Sequence, residues 1–566
     1  MTGSPKADKS GAVLIITFLL TAILSVLAAA TIQLTVNEYH SANRAMLTAE
    51  MYYLAEAGTE KIVYELAIKV ANYQSEPAGA TDAWPALCGQ ETDFCSSGFT
   101  MDHTCRSLDA EAAEVQPSGI VSFKRHYQIT AQVTDPDSGS SVTVNQVIAR
   151  NKTYAFQHAV FYTDDLEILP GPSMTLSGKV HSNRDIYLDT GATLTVDTDY
   201  LRGAGNIYKK RKNDGSESSG DVRIWNKATS SYRSMREAGD IDPLDCDRGD
   251  WTDESQNRWG GTVKSSIHGV TSLATPAVAS IQPDGYYAGK ADVKVINGQI
   301  YANGTLLVEG VPDADGNLPP GTDIPAGTVT TTSSFYNWRE GKFVRMTTID
   351  VEKLAGWGEY VDAEGTVIKK QFTNYLPGNG LLYATRDTFP AAEQPGIRLI
   401  NGSEIQSSSG TGLTVVSNNP VYVQGDYNAT AKKPAAVICD AFNILSNNWD
   451  DTNSPGGLAS RIAAETTVNT AIISGIVPTV GGVYSGGLEN LPRFHESWSG
   501  KTLHVRGSFV VLWDSETATG AWAYGGNYYK APGRDWHYDT DFNNSANLPA
   551  FTPFAVETRR VALWKT

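Results

Sequence analysis

The residues with chemistry to offer are histidines, acidic loops and cysteines. His181, His495 and His537 stand out. His495-Glu496 lacks the second histidine that a zinc-binding HExxH helix requires. Asp539-Thr-Asp-Phe-Asn543 sets oxygen ligands Asp539, Asp541 and Asn543 at alternate positions, the spacing of a structural calcium loop, but without the central Gly and final Glu of an EF-hand. Asp240-Ile-Asp-Pro-Leu-Asp-Cys-Asp247 and Asp313-Ala-Asp-Gly-Asn317 repeat the pattern, which ordinary Asp/Asn turns also produce. Calcium at these loops is thus the one cofactor the sequence suggests. No GxSxG, GxxxxGK[ST] or GxGxxG stands between a strand and a helix, so neither nucleophile-elbow nor phosphate-loop chemistry is indicated. Trp498, Trp513, Trp522 and Tyr528 offer faces for sugar binding, or mass for a β-core.

Five cysteines are present. Cys88, Cys95 and Cys105 fall in one Gly- and Asp-rich stretch without CxxC spacing, which disfavours zinc. In an oxidising compartment two of the three would form a loop disulfide, and spacing does not say which. Cys439 ends the apolar run Ala435-Ala-Val-Ile-Cys439 and reads as a buried small hydrophobe.

Elements that position such residues follow from pattern. Gly11 to Ile32 is uncharged and apolar, about the 20 residues a bilayer-spanning helix needs. Lys6 and Lys9 precede it and acidic residues follow, which predicts a single-pass inner-membrane protein with a cytoplasmic N-terminus and an extracytoplasmic bulk. No breaker follows Ile32. Leu47, Met51, Leu54, Gly58, Ile62, Leu66 and Val70 mark one helical stripe, so one rod on the order of 90 Å is expected over 12–71. The competing reading is a secretory signal cut after Leu27-Ala-Ala-Ala30, with a mature start near Thr31.

A basic leader ending in Gly11, an apolar helix from Ala12 and the later patch Tyr53-Leu-Ala-Glu-Ala-Gly-Thr-Glu60 together resemble the N-terminal region of PilX-like minor pilins and pseudopilins of the type IV pilus and type II secretion class. That resemblance implies cleavage between Gly11 and Ala12 by prepilin peptidase, and packing of the helix against other pilin-like subunits or in the inner membrane. Ile16 stands at the fifth mature position, where major pilins carry Glu, so the resemblance implies a minor subunit or pseudopilin rather than a major one. Tyr484 to Phe494, Thr502 to Trp513 and Asp535 to Phe542 resemble segments of large bacterial proteins with such N-termini.

Beyond the rod, Tyr127 to Val133 alternates apolar and polar residues, Asp135-Pro-Asp-Ser-Gly139 is a turn, and Ser141 to Arg150 is a second strand. From Lys152 onward short β-runs alternate with Gly, Asn, Asp and Pro. Val180-His-Ser-Asn-Arg-Asp-Ile-Tyr-Leu188 is echoed by Val415-Val-Ser-Asn-Asn-Pro-Val-Tyr-Val423, and weakly by Tyr301 to Val308. His181 corresponds to Val416, which favours packing over catalysis. Repeated strands with Asn at corners suit an irregular β-solenoid or a sandwich. Lys209 to Ser219 and Gly310 to Gly327 read as flexible insertions.

The fold class is therefore α+β: leader 1–11, membrane helix 12–33, pilin-like stalk and β-hairpin head 34–152, and a large mainly-β domain 153–566. A net charge of −17 argues against nucleic acid as a partner. A non-enzymatic structural protein is the expectation. The alternative is a membrane-tethered carbohydrate-binding or carbohydrate-active β-domain, which would need carboxylates converging in an aromatic groove.

Overall fold

The protein is described by a computed structural model covering residues 9–74, 82–83, 98–331, 334–407 and 410–566. A single helix, Lys9–Ala71, comes first among the described residues. Its 63 residues contain no proline, and at 1.5 Å per residue it is about 95 Å long. Everything from residue 11 to 46 is exposed. The few hydroxyls in this apolar stretch bond back into the helix, Thr17 to the Val13 carbonyl at 2.8 Å and Ser25 to that of Thr21 at 2.7 Å, so they add no unsatisfied polar group. From residue 47 the helix buries one stripe: Met51, Ala55, Ile62, Leu66 and Val70 are all but inaccessible. The stripe expected from spacing is present, with Leu47 and Leu54 at its half-buried rim.

What the stripe meets is an antiparallel sheet. Val121–Thr134 and Ser141–Tyr154 form its hairpin, in register from Thr134 opposite Ser141 to Ser122 opposite Thr153. Asp135 closes the turn by accepting from the Asp137 amide at 3.0 Å and the Ser138 hydroxyl at 2.6 Å. Tyr127, Ile129, Ala131 and Val133 alternate inward, toward Met51, Ala55, Ile62 and Leu66. Thr100–Ser107 flanks the hairpin on one side.

On the other side lies the end of the chain. Phe554–Lys565 pairs antiparallel with Ser141–Tyr154, Phe554 opposite Tyr154 and Lys565 opposite Val144. This corrects the expected boundary, which placed everything after 153 in the distal domain. The chain leaves the head at Tyr154 and returns at Phe554, so the β-domain is an insertion between two neighbouring strands of the head sheet. Length, not pattern, hid this, since nothing in a short alternating strand names a partner 400 residues away.

The inserted region is a parallel β-solenoid, the first of the two architectures expected. Its longest sheet has 12 strands. Val160–Tyr162, Val180–Ser182, Leu201–Gly203 and Val263–Lys264 stack outward in one direction. On the opposite side of Val160–Tyr162 lies Phe509–Val511, followed by Ala471–Ser474, Ala435–Cys439, Leu413–Ser417, Leu381–Thr385 and Val293–Ile296. Two stacks thus grow in opposite directions from one seam, and the seam sits where the chain enters and leaves.

Residues 265–292 connect the two far ends. They must pass nine strand spacings, about 43 Å at 4.8 Å each. On the way Ala274 bridges Val556 of the head, with amide-to-carbonyl distances of 2.8 and 2.7 Å.

Both strong copies of the sequence echo take the same corner. Val180–Ser182 turns into Ile186–Leu188, and Leu413–Ser417 turns into Val421–Gln424. The weak third copy does not: Gln299–Ala302 folds back antiparallel on Thr305–Leu306 through Asn303 and Gly304, both in the left-handed region, and caps the sheet. Strands buried on both faces, such as Ala435–Cys439, read as unbroken apolar runs. Among the described residues the longest helix in this region, Trp251–Trp259, was not apparent from the sequence; it buries Trp251 and Trp259.

Candidate functional site

The stalk helix and its docking patch form the site with the most structure behind it. Gly11 and Ala12 lie inside the helix and are exposed, with nothing within 4 Å of where a Gly11 Cβ would sit. Residues 1–8 lie outside the described residues. Ile16 is exposed in the same apolar segment. This helix is long and apolar enough to cross a membrane.

The patch Tyr53 to Glu60 lands on the head. Ala55 is fully buried. Gly58 faces Met101, whose sulfur would be 2.6 Å from an added Cβ, so helix and sheet approach as closely as a bare backbone permits. Glu56 and Glu60 reach Arg560 on the returning strand. Arg560 Nη1 lies 3.7 Å from Glu56 Oε1, and Nη2 donates to Glu60 Oε1, which also accepts from Gln146 Nε2 at 3.0 Å. At the foot of the helix Tyr73, itself left-handed at φ 60°, stacks on Tyr286 with centroids 3.7 Å apart. Its hydroxyl meets that of Tyr287 at 2.7 Å. Asn72 Oδ1 accepts from the Ala277 amide at 2.8 Å. The stalk is therefore tied to head, returning strand and connecting segment together.

The other residues singled out by sequence do different work. Cys88 and Cys95 lie outside the described residues. Cys105 is buried in Thr100–Ser107 among Ile62, Leu66 and Tyr127. Cys439 is a free, fully buried thiol.

At Asp539, Asp541 and Asn543, the loop whose spacing suggested calcium, a lysine lies between the carboxylates. Lys432 Nζ donates to both Asp539 oxygens at 2.7 and 2.6 Å and to Asp541 at 2.9 Å, while Asn543 Oδ1 accepts from Lys179 at 3.3 Å. An ammonium supplies the positive charge a cation would. Asp240 is likewise held by Arg258 at 2.7 Å and Arg248 at 3.1 Å, and Asp313 by the backbone amides of Asp315 and Asn317. Among the described residues no group of three or more His, Cys, Asp or Glu is placed to hold a metal ion.

His181 stacks on Phe161 with centroids 5.2 Å apart and bonds Asn183 at 3.0 Å. Burial pushes it down to about 4, and its neighbour His158 to about 3. Both line a cavity of about 250 Å³ where head and solenoid meet. His495 Nε2 donates to Asn443 Oδ1 at 2.9 Å; burial, then Arg461, Arg493 and Arg339, push it down to about 3. Next to it, burial pushes Glu496 up to about 7 despite its bonds to Ser446. His537 is exposed and shares Asp535 with His504, each at 2.7 Å.

Trp498 and Trp513 belong to the core, whereas Trp522 and Tyr528 line a cleft together with Trp338 and Arg339. Sequence reading missed Trp338 and Arg339, because a turn of mixed aromatic and charged residues carries no spacing signature. Arg339 donates from Nε to the Gly520 carbonyl at 2.9 Å. Burial, then the adjacent Arg493 guanidinium, push it down to about 9, which leaves it charged at neutral pH.

No family model matches the chain, and no curated protein matches it. Among solved structures, the chain is similar to the competence-associated pilin ComZ from Thermus thermophilus, at 11% identity over 92% of this chain and 97% of that one, with a TM-score of 0.26.

Proposed function

We propose that this chain is a membrane-anchored, non-enzymatic assembly protein of a type IV pilus-like or type II secretion-like system, acting as a minor pilin or pseudopilin with a large outward-facing head. The observation that carries the reading is the division of labour along one unbroken helix. Residues 11–32 are apolar, uncharged and uncovered, 33–46 are uncovered and increasingly polar, and 47–71 dock one stripe onto the head. In water a fully exposed apolar helix of this length is untenable, since burying each large side chain is worth about 1.5–3 kcal/mol. A bilayer, or a bundle of similar helices, supplies the missing environment.

In this reading prepilin peptidase cuts between Gly11 and Ala12, the N-terminus faces the cytoplasm, and the solenoid is extracytoplasmic. The small residues Ala22, Ser25, Ala28 and Ala29 allow neighbouring helices to approach. The oxidising compartment favours a disulfide among Cys88, Cys95 and Cys105.

The test is the mature N-terminus. Co-expression with an active prepilin peptidase, followed by mass spectrometry of the membrane fraction, should give a chain starting at Ala12. Gly11→Leu should leave the leader attached. An uncut wild-type chain, or one starting near Thr31, would overturn the reading.

A further inference from the structure

The turn between Ser334–Asn337 and Lys342–Asp350 carries two residues for which neither the stalk nor the solenoid core has a use. Trp338 and Arg339 project toward the 520–529 loop, and with Asn490, Trp522 and Tyr528 they line one cleft on the solenoid's flank.

Charge is the first argument. Arg493 is compensated: Nη1 donates to Glu340 Oε1 at 2.9 Å and Nη2 to the Ala518 carbonyl at 2.7 Å. The second oxygen of Glu340 accepts from the Gly520 amide at 2.9 Å, so that carboxylate is fully employed. Arg461 donates to the carbonyls of His495 and Asn527. Arg339 is the exception. Its Nε is tied to Gly520, while Nη1 and Nη2 donate to no group among the described residues. The guanidinium is thus held by its Nε beside a second guanidinium while its fork end stays open to solvent, where an anion can reach it. The geometry that completes it is a carboxylate taken bidentately.

The second argument is the rings. Trp522 donates from Nε1 to the Tyr529 hydroxyl at 3.0 Å, and that hydroxyl donates to Asn490 Oδ1. Trp338 donates from Nε1 to the Ser454 carbonyl at 2.9 Å. Each indole is thus anchored through its polar edge, and this preorganises the ring before any ligand arrives. Tyr528 and Tyr524 extend the aromatic surface into solvent. Aromatic faces flanking a hydrogen-bonding group are what the apolar faces of a pyranose ring pack against.

We propose that this cleft binds a carboxylated sugar of an acidic polysaccharide, with the Arg339 fork taking the carboxylate and the rings of Trp522 and Tyr528 taking the sugar. The cleft itself has a volume of about 10 Å³, room for about one water, so the carboxylate meets the Arg339 fork at the cleft's mouth and the ring of the sugar rests outside on the aromatic surface. Recognition here is binding without turnover, and it stands apart from the pilin reading, since it concerns the flank of the solenoid alone.

The experiment titrates the full chain in detergent with a D-galacturonate hexamer, reading tryptophan fluorescence and calorimetric heat. A neutral galactose hexamer, sodium acetate and sodium phosphate serve as comparisons. The acidic hexamer should bind at least about tenfold more tightly than each of the three, one bidentate charge-assisted pair setting that factor. Arg339→Gln should erase the preference for the acidic over the neutral hexamer. Arg339→Lys, which keeps the charge but loses the fork, should retain only part of it. Tyr528→Ala, at an exposed position that the fold does not need, should weaken binding of the acidic hexamer several-fold with unchanged melting temperature. Equal binding of acidic and neutral hexamers, acetate or phosphate binding as tightly as the hexamer, or no binding at all would each overturn the proposal.

Discussion

Replacing His495 by glutamine should change how stability depends on pH, not only its level. His495 is 3% exposed, and burial together with three arginines holds it at about 3, against 6.5 for a histidine in water. Folded and unfolded chains therefore bind the same number of protons above pH 6.5. Below that, the unfolded chain takes one proton that the folded chain refuses, so stability falls as pH falls. The slope is about 1.4 kcal/mol per pH unit for one such group, down to the folded value near 3. Between pH 6.5 and 4.5 the wild type should lose about 2.3 kcal/mol through this residue alone, a little under the limiting slope because the unfolded histidine is already half protonated at pH 6.5. His495→Gln cannot lose it. Glutamine's amide still reaches Asn443, and any constant penalty of the substitution shifts the intercept only. Urea unfolding of the detergent-solubilised chain, followed by tryptophan fluorescence at pH 7.5, 6.5, 5.5 and 4.5, gives the difference between the two curves. That difference should be flat from 7.5 to 6.5 and then move against the wild type by about 1.4 kcal/mol per unit. Parallel curves throughout would mean that His495 takes up its proton in the folded state, and the buried arginine-flanked setting would be wrong.

Glu496→Gln should show the opposite trend: because Glu496 is held at about 7, the wild type weakens relative to the variant as pH rises from 4.5 to 7, by about 1.4 kcal/mol per unit, and the difference levels off above 7 in the same unfolding series. Arg560→Ala breaks two half-exposed ion pairs to Glu56 and Glu60 and should cost only about 0.5–1 kcal/mol by thermal unfolding. Val556→Asp puts an unpaired charge among Ile62, Leu66 and Tyr127, and should expose residues 47–71 to limited proteolysis while the solenoid fragment survives. Calcium or a chelator should leave the unfolding midpoint unchanged, whereas Lys432→Met should make it calcium-sensitive, because it removes the ammonium from Asp539 and Asp541.

The rod was legible because a helix writes its period locally: Met51, Ile62, Leu66 and Val70 are neighbours in space and close in sequence. The hairpin was legible for the same reason, with six residues between its strands. The solenoid was half legible. Its corners repeat Ser-Asn with a following apolar strand, but the coils differ in length, from the 20 residues between Val160 and Val180 to the 89 between Val293 and Leu382, so no fixed period emerges. The seam was invisible, since Val160–Tyr162 and Phe509–Val511 look like any other buried strands. The lysine beside Asp539 and Asp541 was not legible, because alternate oxygens suit an ammonium as they suit calcium, and Lys432 is more than 100 residues away in sequence. Arg339 escaped because a free guanidinium is defined by which carboxylates are already taken, and that is a property of the packed state.

Insertion also dictates an order of assembly. Closing a flexible loop of about 400 residues to bring Phe554 beside Tyr154 would cost about 5 kcal/mol in chain entropy, comparable with the whole stability of a small domain. A folded solenoid removes that cost, because its seam already holds the two ends together, with the Ala155 amide 2.9 Å from the Pro553 carbonyl. The returning strand then needs only to zip along Ser141–Tyr154. Until it does, Val556 is missing from the cluster that receives Ile62 and Leu66, and Arg560 is missing from Glu56 and Glu60. Met51 and Ala55 pack on the local hairpin in any case, whereas the stretch from Ile62 to Ala71 completes its docking only when the returning strand is in place.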